Sequence, residues 1–450
     1  MSPRKLRDDS QPATPTMATV LRQPRFAFLV IGQTVSQLGD KLHHMALIAL
    51  VGAGASTNAG GLELAKLSVV FTAPVVLFGP LAGALVDRLS KRTTMIVCDA
   101  ARAMLVLTIP WLFATTGHLW PVYVVAFLVF LLGVFFNAAK MALIPELVPR
   151  PQLLPANAAL TFVGRFATVG GIVGGGVIIG MAVWRRFGWS DYAAGFYLDA
   201  LSYLMSVLSL LAIVLVGRGA TSERLVASAP VRLPVKRTPQ TLVGDVVRTL
   251  GVVRRDRTMR FVFGSLVALS LFASTVYVAM TYSVQTVMGR GTRGVGYLGG
   301  MLGGGMIAGS LLIGTVGSRW DKRQTILLGT ATIGLLMLVG GIFFSFVVFA
   351  PVTFLGGALL APVMVSQDTM LHESAPAEAR ALIFSTKDLI LGGVFMLSAL
   401  TVGGSIYLLG RLGVAEPYRL TLSGVGLAIL ATGVAGQLSF IADRRRARRA

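Results

Sequence analysis

Twelve apolar runs, each long enough to cross a bilayer, follow one another along this chain. They occupy roughly 26–53, 63–86, 93–116, 119–142, 153–183 and 192–217, then roughly 259–288, 293–317, 324–345, 347–371, 378–409 and 416–441. A helix needs about 20 apolar residues to span the hydrocarbon core. Backbone N–H and C=O groups find no water there, so each run must satisfy its own hydrogen bonds as a helix. The fold class this dictates is all-α and integral to the membrane. Composition agrees, with 54% of the 450 residues hydrophobic and 13% charged and a mean hydropathy of +0.75. Soluble domains carry about a quarter charged residues. The 52 glycines suit helices that approach backbone to backbone.

The runs fall into two sets of six. Residues 1–25 read as a polar N-tail, 26–217 as a six-helix domain, 218–258 as an Arg- and Pro-rich linker with little apolar periodicity, 259–441 as a second six-helix domain, and 442–450 as a basic C-tail. The first run exceeds the roughly 7–15 residues of a signal-peptide core, so it is expected to stay as a span. The positive-inside rule orients the chain. On the side of both tails lie 28 of the 40 Lys and Arg, against 6 on the opposite side and 6 within spans. Both termini are therefore expected in the cytoplasm of a bacterial cell, the protein being multi-pass in the inner membrane and working as a monomer. The same placement explains the net charge of +21: the basic residues lie against anionic headgroups, and no nucleic-acid partner is expected. The single cysteine, Cys98, cannot form an intramolecular disulfide and reads as a small packing residue.

An internal repeat ties the halves together. After the second run stands Gly83-Ala84-Leu85-Val86-Asp87-Arg88-Leu89-Ser90-Lys91-Arg92, and after the eighth Gly314-Thr315-Val316-Gly317-Ser318-Arg319-Trp320-Asp321-Lys322-Arg323. Both place Gly, then Arg five residues on, then a basic pair at eight and nine. A matching loop at the same ordinal position implies a duplicated six-helix unit. Parallel repeats of this kind are a transporter architecture, with the substrate site near the midplane between the halves.

The first copy resembles the signature loop of the major facilitator superfamily, Gly-x-x-x-Asp-Arg/Lys-x-Gly-Arg/Lys-Arg/Lys. Gly83, Asp87, Arg88, Lys91 and Arg92 match, and Ser90 replaces the second Gly. The resemblance implies twelve transmembrane helices in two six-helix pseudo-repeats and a cytoplasmic gate at these five residues. Gly83 would permit close helix approach, and Asp87 would face the N-terminus of another helix, where an anion is favoured by about 0.3–1 kcal/mol. Gln33-Thr34-Val35-Ser36-Gln37-Leu38-Gly39-Asp40 and Phe136-Asn137-Ala138-Ala139-Lys140, continued by Pro145-Glu146 and Leu154-Pro155-Ala156-Asn157, resemble a branch of siderophore and macrolide exporters and, more distantly, lysophospholipid transporters. Gly170-Gly171-Ile172-Val173-Gly174-Gly175 is similar to the Gly-Pro-x-x-Gly-Gly of exporters, with Gly171 in place of Pro.

Ionisable groups in hydrocarbon cost about 2.5–3.5 kcal/mol or more at a helix centre and are functional candidates by default. Gln33, Gln37, Asp40, Lys41 and His44 recur along one face of the first span and are expected to line a central cavity. Asp40 is the lead proton or substrate group, Lys140 and Arg165 are candidate counter-charges, and Arg165 is a possible partner for Asp40. Asp99 and Arg102, one turn apart, suit each other. Asp199, Asp368 and the pair Lys387 and Asp388 complete the set, with Asp368 a further coupling candidate. His43 and His44 suit either pH sensing or plain polar packing. In span seven Ser270, Ser274, Tyr277, Thr281 and Gln285 form a neutral polar stripe suited to an amphipathic ligand.

No Gly-x-x-x-x-Gly-Lys-Ser/Thr occurs, so no P-loop for ATP is present, and His372-Glu373 lacks the second His of a zinc motif. No cofactor or metal is expected. A membrane enzyme would need a nucleophile–base pair in the spans, and none stands at helical spacing. The expectation is a proton-coupled secondary transporter that exports a bulky amphipathic compound, a drug, macrolide or siderophore. A lysophospholipid transporter is the alternative, and a non-transporting membrane sensor the second.

Overall fold

The computed structural model describes residues 16–56, 59–219, 239–317, 320–376 and 380–447. The first fifteen residues, linker residues 220–238, and Ser318 and Arg319 of the second loop lie outside the described residues.

A short α1 (Met17–Leu21) leads into α2 (Pro24–Gly54), α3 (Gly60–Val86), α4 (Lys91–Thr116), α5 (Leu119–Leu147), α6 (Leu153–Ile179) and α7 (Asp191–Gly219). After α8 (Pro239–Arg255) come α9 (Arg257–Thr275, continued by π turns to Val287), α10 (Gly291–Val316), α11 (Lys322–Ile342), α12 (Phe346–Ser374), α13 (Arg380–Arg411) and α14 (Pro417–Ala447). Eleven of the long helices are apolar and long enough to cross a membrane. The twelfth is α2, which at 31 residues has the length but is diluted by Gln33, Gln37, Asp40, Lys41, His43 and His44. The least apolar span is thus the one that carries the candidate chemistry.

Local signals set the helix ends. Pro24 opens α2, where its missing N–H costs nothing. Asp256 caps α9 by accepting from Met259 N at 2.7 Å, and Asp321 caps α11 by accepting from Gln324 N at 2.9 Å. Gly117 ends α4 at φ 65°, a conformation that favours glycine. One stretch of the linker departs from the sequence reading. Residues 239–255 form α8, which packs on α9 and α13, burying Thr249 and Val253 while Arg248, Arg254 and Arg255 stay exposed. Its single apolar stripe is narrow and interrupted by arginines, which hid the period.

The two six-helix bundles meet along two crossings, α3 with α13 and α6 with α10. At one end, away from the chain termini, the seam is shut. A Cβ on Gly176 would sit 2.6 Å from the Gly296 Cα, so only glycine lets α6 and α10 touch there. Arg293 donates to the Gly180 carbonyl, Tyr282 donates to Ser56 O at 3.3 Å, and Gln285 Nε2 donates to Ile48 O at 2.9 Å. Toward the end that carries the termini the same stripes come apart. Gly299, Gly300 and Gly303 of α10 pack on Ile172, Val173 and Val169 of α6. One turn further on, Arg165 and Phe166 of α6 and Ile307 and Ser310 of α10 are exposed. The molecule is closed at the far end and splayed at the tail end.

Candidate functional site

Between the halves lies a cavity of about 270 Å³. α2 lines it with Lys41, His44, Met45 and Ile48, and α9 and its π turns line it with Ala273, Val276, Tyr277, Met280, Thr281 and Val284. Ile172 of α6, Val295, Leu298 and Leu302 of α10 and Thr353 of α12 complete the wall. Lys41 is the one charged group on this lining. His44 meets Phe71 at 5.0 Å and Tyr277 at 5.7 Å between ring centroids, and Phe395 joins Phe71 at 6.0 Å. This aromatic group bridges the bundles at the cavity.

The expected stripe on α2 divides. Lys41 and His44 face the cavity as expected. Gln37 packs beside Gly164 of α6, and Gln33 is buried, with its Oε1 unpartnered among the described residues; neither is on the cavity wall. Asp40 turns into the first bundle. Arg102 of α4 reaches its Oδ1 at 2.5 Å, Tyr203 of α7 donates to the same oxygen at 2.6 Å, and the Arg102 guanidinium stacks 4.1 Å from the Tyr203 ring centroid. Arg102 also holds Asp99 at 3.3 Å, as their spacing predicted. The suggested pairing of Asp40 with Arg165 is therefore corrected: Arg165 is exposed at the splayed end of α6, and a fixed guanidinium one helix away has taken its place. Asp40 keeps 33% exposure while Arg102 keeps 6%, so the network has one accessible acid. Asp40 lies one turn from His44 on the same face of α2.

The glycine run of α6 serves packing. A Cβ on Gly171 would stand 2.7 Å from Lys41 Cβ, so this glycine brings α6 against the cavity lysine. Lys140 is half-buried and donates to Asn137 Oδ1 at 2.8 Å, off the cavity wall. In span seven the sequence stripe is altered by two π turns, Val276–Met280 and Ser283–Val287. A π turn takes more residues than an α turn. Tyr277 and Thr281 consequently reach the cavity, Ser274 is fully buried, and Gln285 turns to the α2 backbone. Tyr277 Oη is buried without a partner among the described residues, so it is available to a ligand. Asp368 pairs with Lys387 at 2.8 Å between α12 and α13 and is 50% exposed, away from the cavity.

The signature loop sits at the splayed end. Asp87 and Arg88 are exposed, and a Cβ on Gly83 would meet nothing within 4 Å. The close approach expected at Gly83 is absent because the bundles have parted there. Lys91 reaches Glu146, at the end of α5, at 2.9 Å, and Arg92 is half-buried beside it. The second half repeats the bond: Lys322 at the start of α11 reaches Glu373 at the end of α12 at 2.5 Å.

Sequence reasoning passed over Tyr203 and undervalued Arg102, His43 and Asp199. The signal for Tyr203 was its place four residues after a membrane carboxylate, which puts both on one face of α7.

Two six-helix bundles around a midplane cavity define a membrane transporter of the alternating-access class. The chain belongs to the Major Facilitator Superfamily, whose sequence profile matches residues 29–386; membership assigns transport rather than catalysis. Over 151 residues it is 29% identical to YfiS of Bacillus subtilis (strain 168), named an uncharacterized MFS-type transporter, covering 34% of this chain and 35% of that one. Over 134 residues it is 28% identical to Rv0037c of Mycobacterium tuberculosis (strain ATCC 25618 / H37Rv), named likewise, covering 30% of each chain. The match thus spans about a third of the length of these curated relatives. Among solved structures, the fold is similar to a bacterial homologue of the human lysosomal transporter Spinster in an inward-facing, unoccupied conformation, with TM-score 0.67, 13% identity and coverage of 92% of this chain and 96% of that one. A bacterial homologue of the iron transporter ferroportin, also inward-facing, gives TM-score 0.64 at 13% identity, covering 92% and 98%. The nucleoside transporter NupG gives 0.61 at 13%, covering 90% and 99%.

Proposed function

We propose that this protein is a proton-coupled secondary transporter of an amphipathic compound bearing an anionic head, with a lysophospholipid as the representative substrate. The observation that carries this reading is the cavity wall. Its one charge is the Lys41 ammonium, set against a sleeve of Met, Ile, Val and Leu side chains, with Tyr277 and Thr281 as neutral donors. A cation at one end of an apolar sleeve matches a charged head on an acyl chain. That favours the lipid alternative over export of a drug, macrolide or siderophore.

With the tail end in the cytoplasm of a bacterial inner membrane, the splayed seam is an inward-facing state. Rocking of one bundle on the other would then close Gly83, Asp87 and Arg88 against the second bundle. Asp40, accessible and held by Arg102 and Tyr203, is the coupling carboxylate in this reading: a proton on it weakens the hold of Arg102 and loosens α2 from α4.

The test is transport into proteoliposomes that contain the full-length monomer. Fluorescent lysophosphatidylglycerol and ethidium are offered in parallel, with and without a pH gradient. Gradient-dependent movement of the lysolipid, reduced by Lys41→Gln and abolished by Asp40→Asn, is the expected result. Movement of ethidium alone returns the drug-efflux reading. Movement of neither in any orientation removes both and leaves the sensor.

A further inference from the structure

The buried charge of the first bundle extends beyond the groups that Arg102 can serve. Three carboxylates, Asp40, Asp99 and Asp199, lie there, and Arg102 contacts the first two. Asp199 of α7 is fully buried, and its Oδ2 stands 3.1 Å from His43 Nδ1 of α2, itself 1% exposed. The imidazole is enclosed edge-on by Phe130 and Phe196, with ring centroids 5.6 and 5.3 Å away. His43 Nε2 has no hydrogen-bond partner among the described residues. Nδ1 and Oδ2 are within ion-pair distance but outside hydrogen-bond alignment.

The pair has a fixed place relative to Asp40. Asp40 and His43 are three residues apart on α2, and Asp199 and Tyr203 four apart on α7, so each set shares a helix face. Asp40 with Tyr203 and His43 with Asp199 are consecutive rungs across the same helix contact. Gly39 lets the helices close between them: a Cβ there would stand 2.6 Å from Asp199 Oδ1. The first rung is accessible through Asp40, and the second is sealed.

The surrounding charged groups have contacts of their own, although Asp40 and Arg102 still act on Asp199 through space. On α2, Lys41 faces the cavity and α6, His44 faces Phe71 and Tyr277, and Asp40 is held by Arg102. On α4, Asp99 and Arg102 hold each other. On α7, Ser202 Oγ lies 3.3 Å from Asp199 Oδ1, and Tyr203 is committed to Asp40. α5 presents Phe130, and its Lys140 lies far along the helix toward the tail end, bonded to Asn137. A carboxylate sealed in this setting needs a compensating charge or a proton of its own; Arg102 acts on Asp199 as well but is shared with Asp40 and Asp99, and one basic group stands within ion-pair distance. That group is His43, 3.1 Å away and equally sealed.

We infer that His43 and Asp199 form a second proton-binding site, sealed one helical turn beyond Asp40, so that protons are carried on two rungs of the α2–α7 contact rather than on Asp40 alone. The inference rests on the proton-coupled reading of Asp40 and adds to it a store behind the accessible carboxylate. The proton that fills the store comes from water and returns to it; no other group is consumed.

The experiment titrates the purified full-length protein in detergent and follows the carboxylic-acid C=O stretch by infrared difference spectroscopy. Because no substrate is present, failure to move lysolipid or dye leaves this readout intact. Within the wild-type signal, one component carried by Asp40 and another carried by the His43–Asp199 pair are expected. The second should persist in Asp40→Asn, vanish in Asp199→Asn and move along the pH axis in His43→Gln, with the variants' melting curves confirming that they fold. Should Asp199→Asn not fold, the shift in His43→Gln, seen against Asp40→Asn, decides alone. A titration that neither His43→Gln nor Asp199→Asn alters, and that loses a component only in Asp40→Asn, overturns the second site and leaves Asp40 as the carrier.

Discussion

The two halves share a scaffold and differ in what they bury. Each clips the start of its third long helix to the end of its fourth, by Lys91 to Glu146 and by Lys322 to Glu373. The first half seals Asp99, Arg102, His43 and Asp199 between α2, α4 and α7, with Asp40 the accessible end of the network. The second buries neutral polar groups, such as Gln367 Nε2 donating to Ser265 Oγ at 2.9 Å, and, among the described residues, pairs Lys387 with a half-exposed Asp368 between α12 and α13. Duplication has therefore kept the clips at the ends while the interiors diverged. The lesson is a division of labour. In the proposed reading, one bundle would change its internal bonding with protonation, and the other, with its π turns and glycine seams, would offer the surface on which the ligand sits.

The sharpest test of that division is to remove a cation from each half. Arg102→Met leaves Asp40 and Asp99 without their partner, and losing one member of a buried pair costs about 3–5 kcal/mol. Lys387→Met strips a partner from a half-exposed Asp368, a contact of about 0.2–1 kcal/mol. Thermal melting in detergent should show a large drop for the first and a small one for the second. Adding Asp40→Asn to Arg102→Met should recover part of the loss, because one uncompensated carboxylate is removed. Equal drops from the two cations would erase the difference between the halves.

A second comparison concerns the cavity, to which the first half brings the charge and the second the neutral donors. Lys41→Gln should weaken binding of lysophosphatidylglycerol by about 1.5–3 kcal/mol, the worth of a charge-assisted hydrogen bond, and leave a neutral lysolipid diol unchanged. Tyr277→Phe should weaken both by about 0.5–1.5 kcal/mol. Fluorescence displacement in detergent reads both. A Lys41→Gln effect that ignores ligand charge would move the head to another part of the cleft.

How far the sequence alone discloses this arrangement differs between the halves for a physical reason. Span positions are legible throughout, because the apolar length of a span is a property of the run itself; α4 and α6 begin within two residues of the expected positions. The clips are half legible: Lys91 and Glu146 stand in separate recognisable stretches, but nothing in either names the other. Asp40 is legible as a costly membrane acid, and its partner is not, since a helix period fixes the face of Asp40 without fixing which helix meets it. Arg165 and Arg102 were equally available until packing placed one at the splayed end and the other beside Tyr203. The span-seven stripe holds at Tyr277 and Thr281 and departs at Ser274 and Gln285 for a different cause. Its spacing assumes 3.6 residues per turn, and the π turns break that assumption where the cavity lies.

The clips are the next and weaker comparison. Lys91→Ala and Lys322→Ala each break an ion pair with partly exposed members, so each should cost about 0.2–1 kcal/mol and less at high salt. Matching losses in melting temperature at low ionic strength, converging at high, would confirm that the ends are equivalent. A much larger loss for Lys91→Ala would extend the asymmetry of the interiors to the ends.

The smallest effect on stability should come from Gly83, and it decides most about motion. A Cβ at Gly83 or at its counterpart Gly314 meets nothing within 4 Å in this splayed state. Gly83→Leu and Gly314→Leu should therefore change stability by no more than about 0.5 kcal/mol, the range of surface substitutions. Closing the tail end brings α3 toward α13, and a leucine at Gly83 would then occupy the space the approach requires. Lysolipid transport should fall steeply in Gly83→Leu while its melting curve stays put, and accessibility of a cysteine placed at Ser310 (in the Cys98→Ser background) should stay at the level of the open state. If Gly314→Leu has the same consequence, the two loops close as a symmetric pair. If it has none, the gate belongs to the first half, as the charge does.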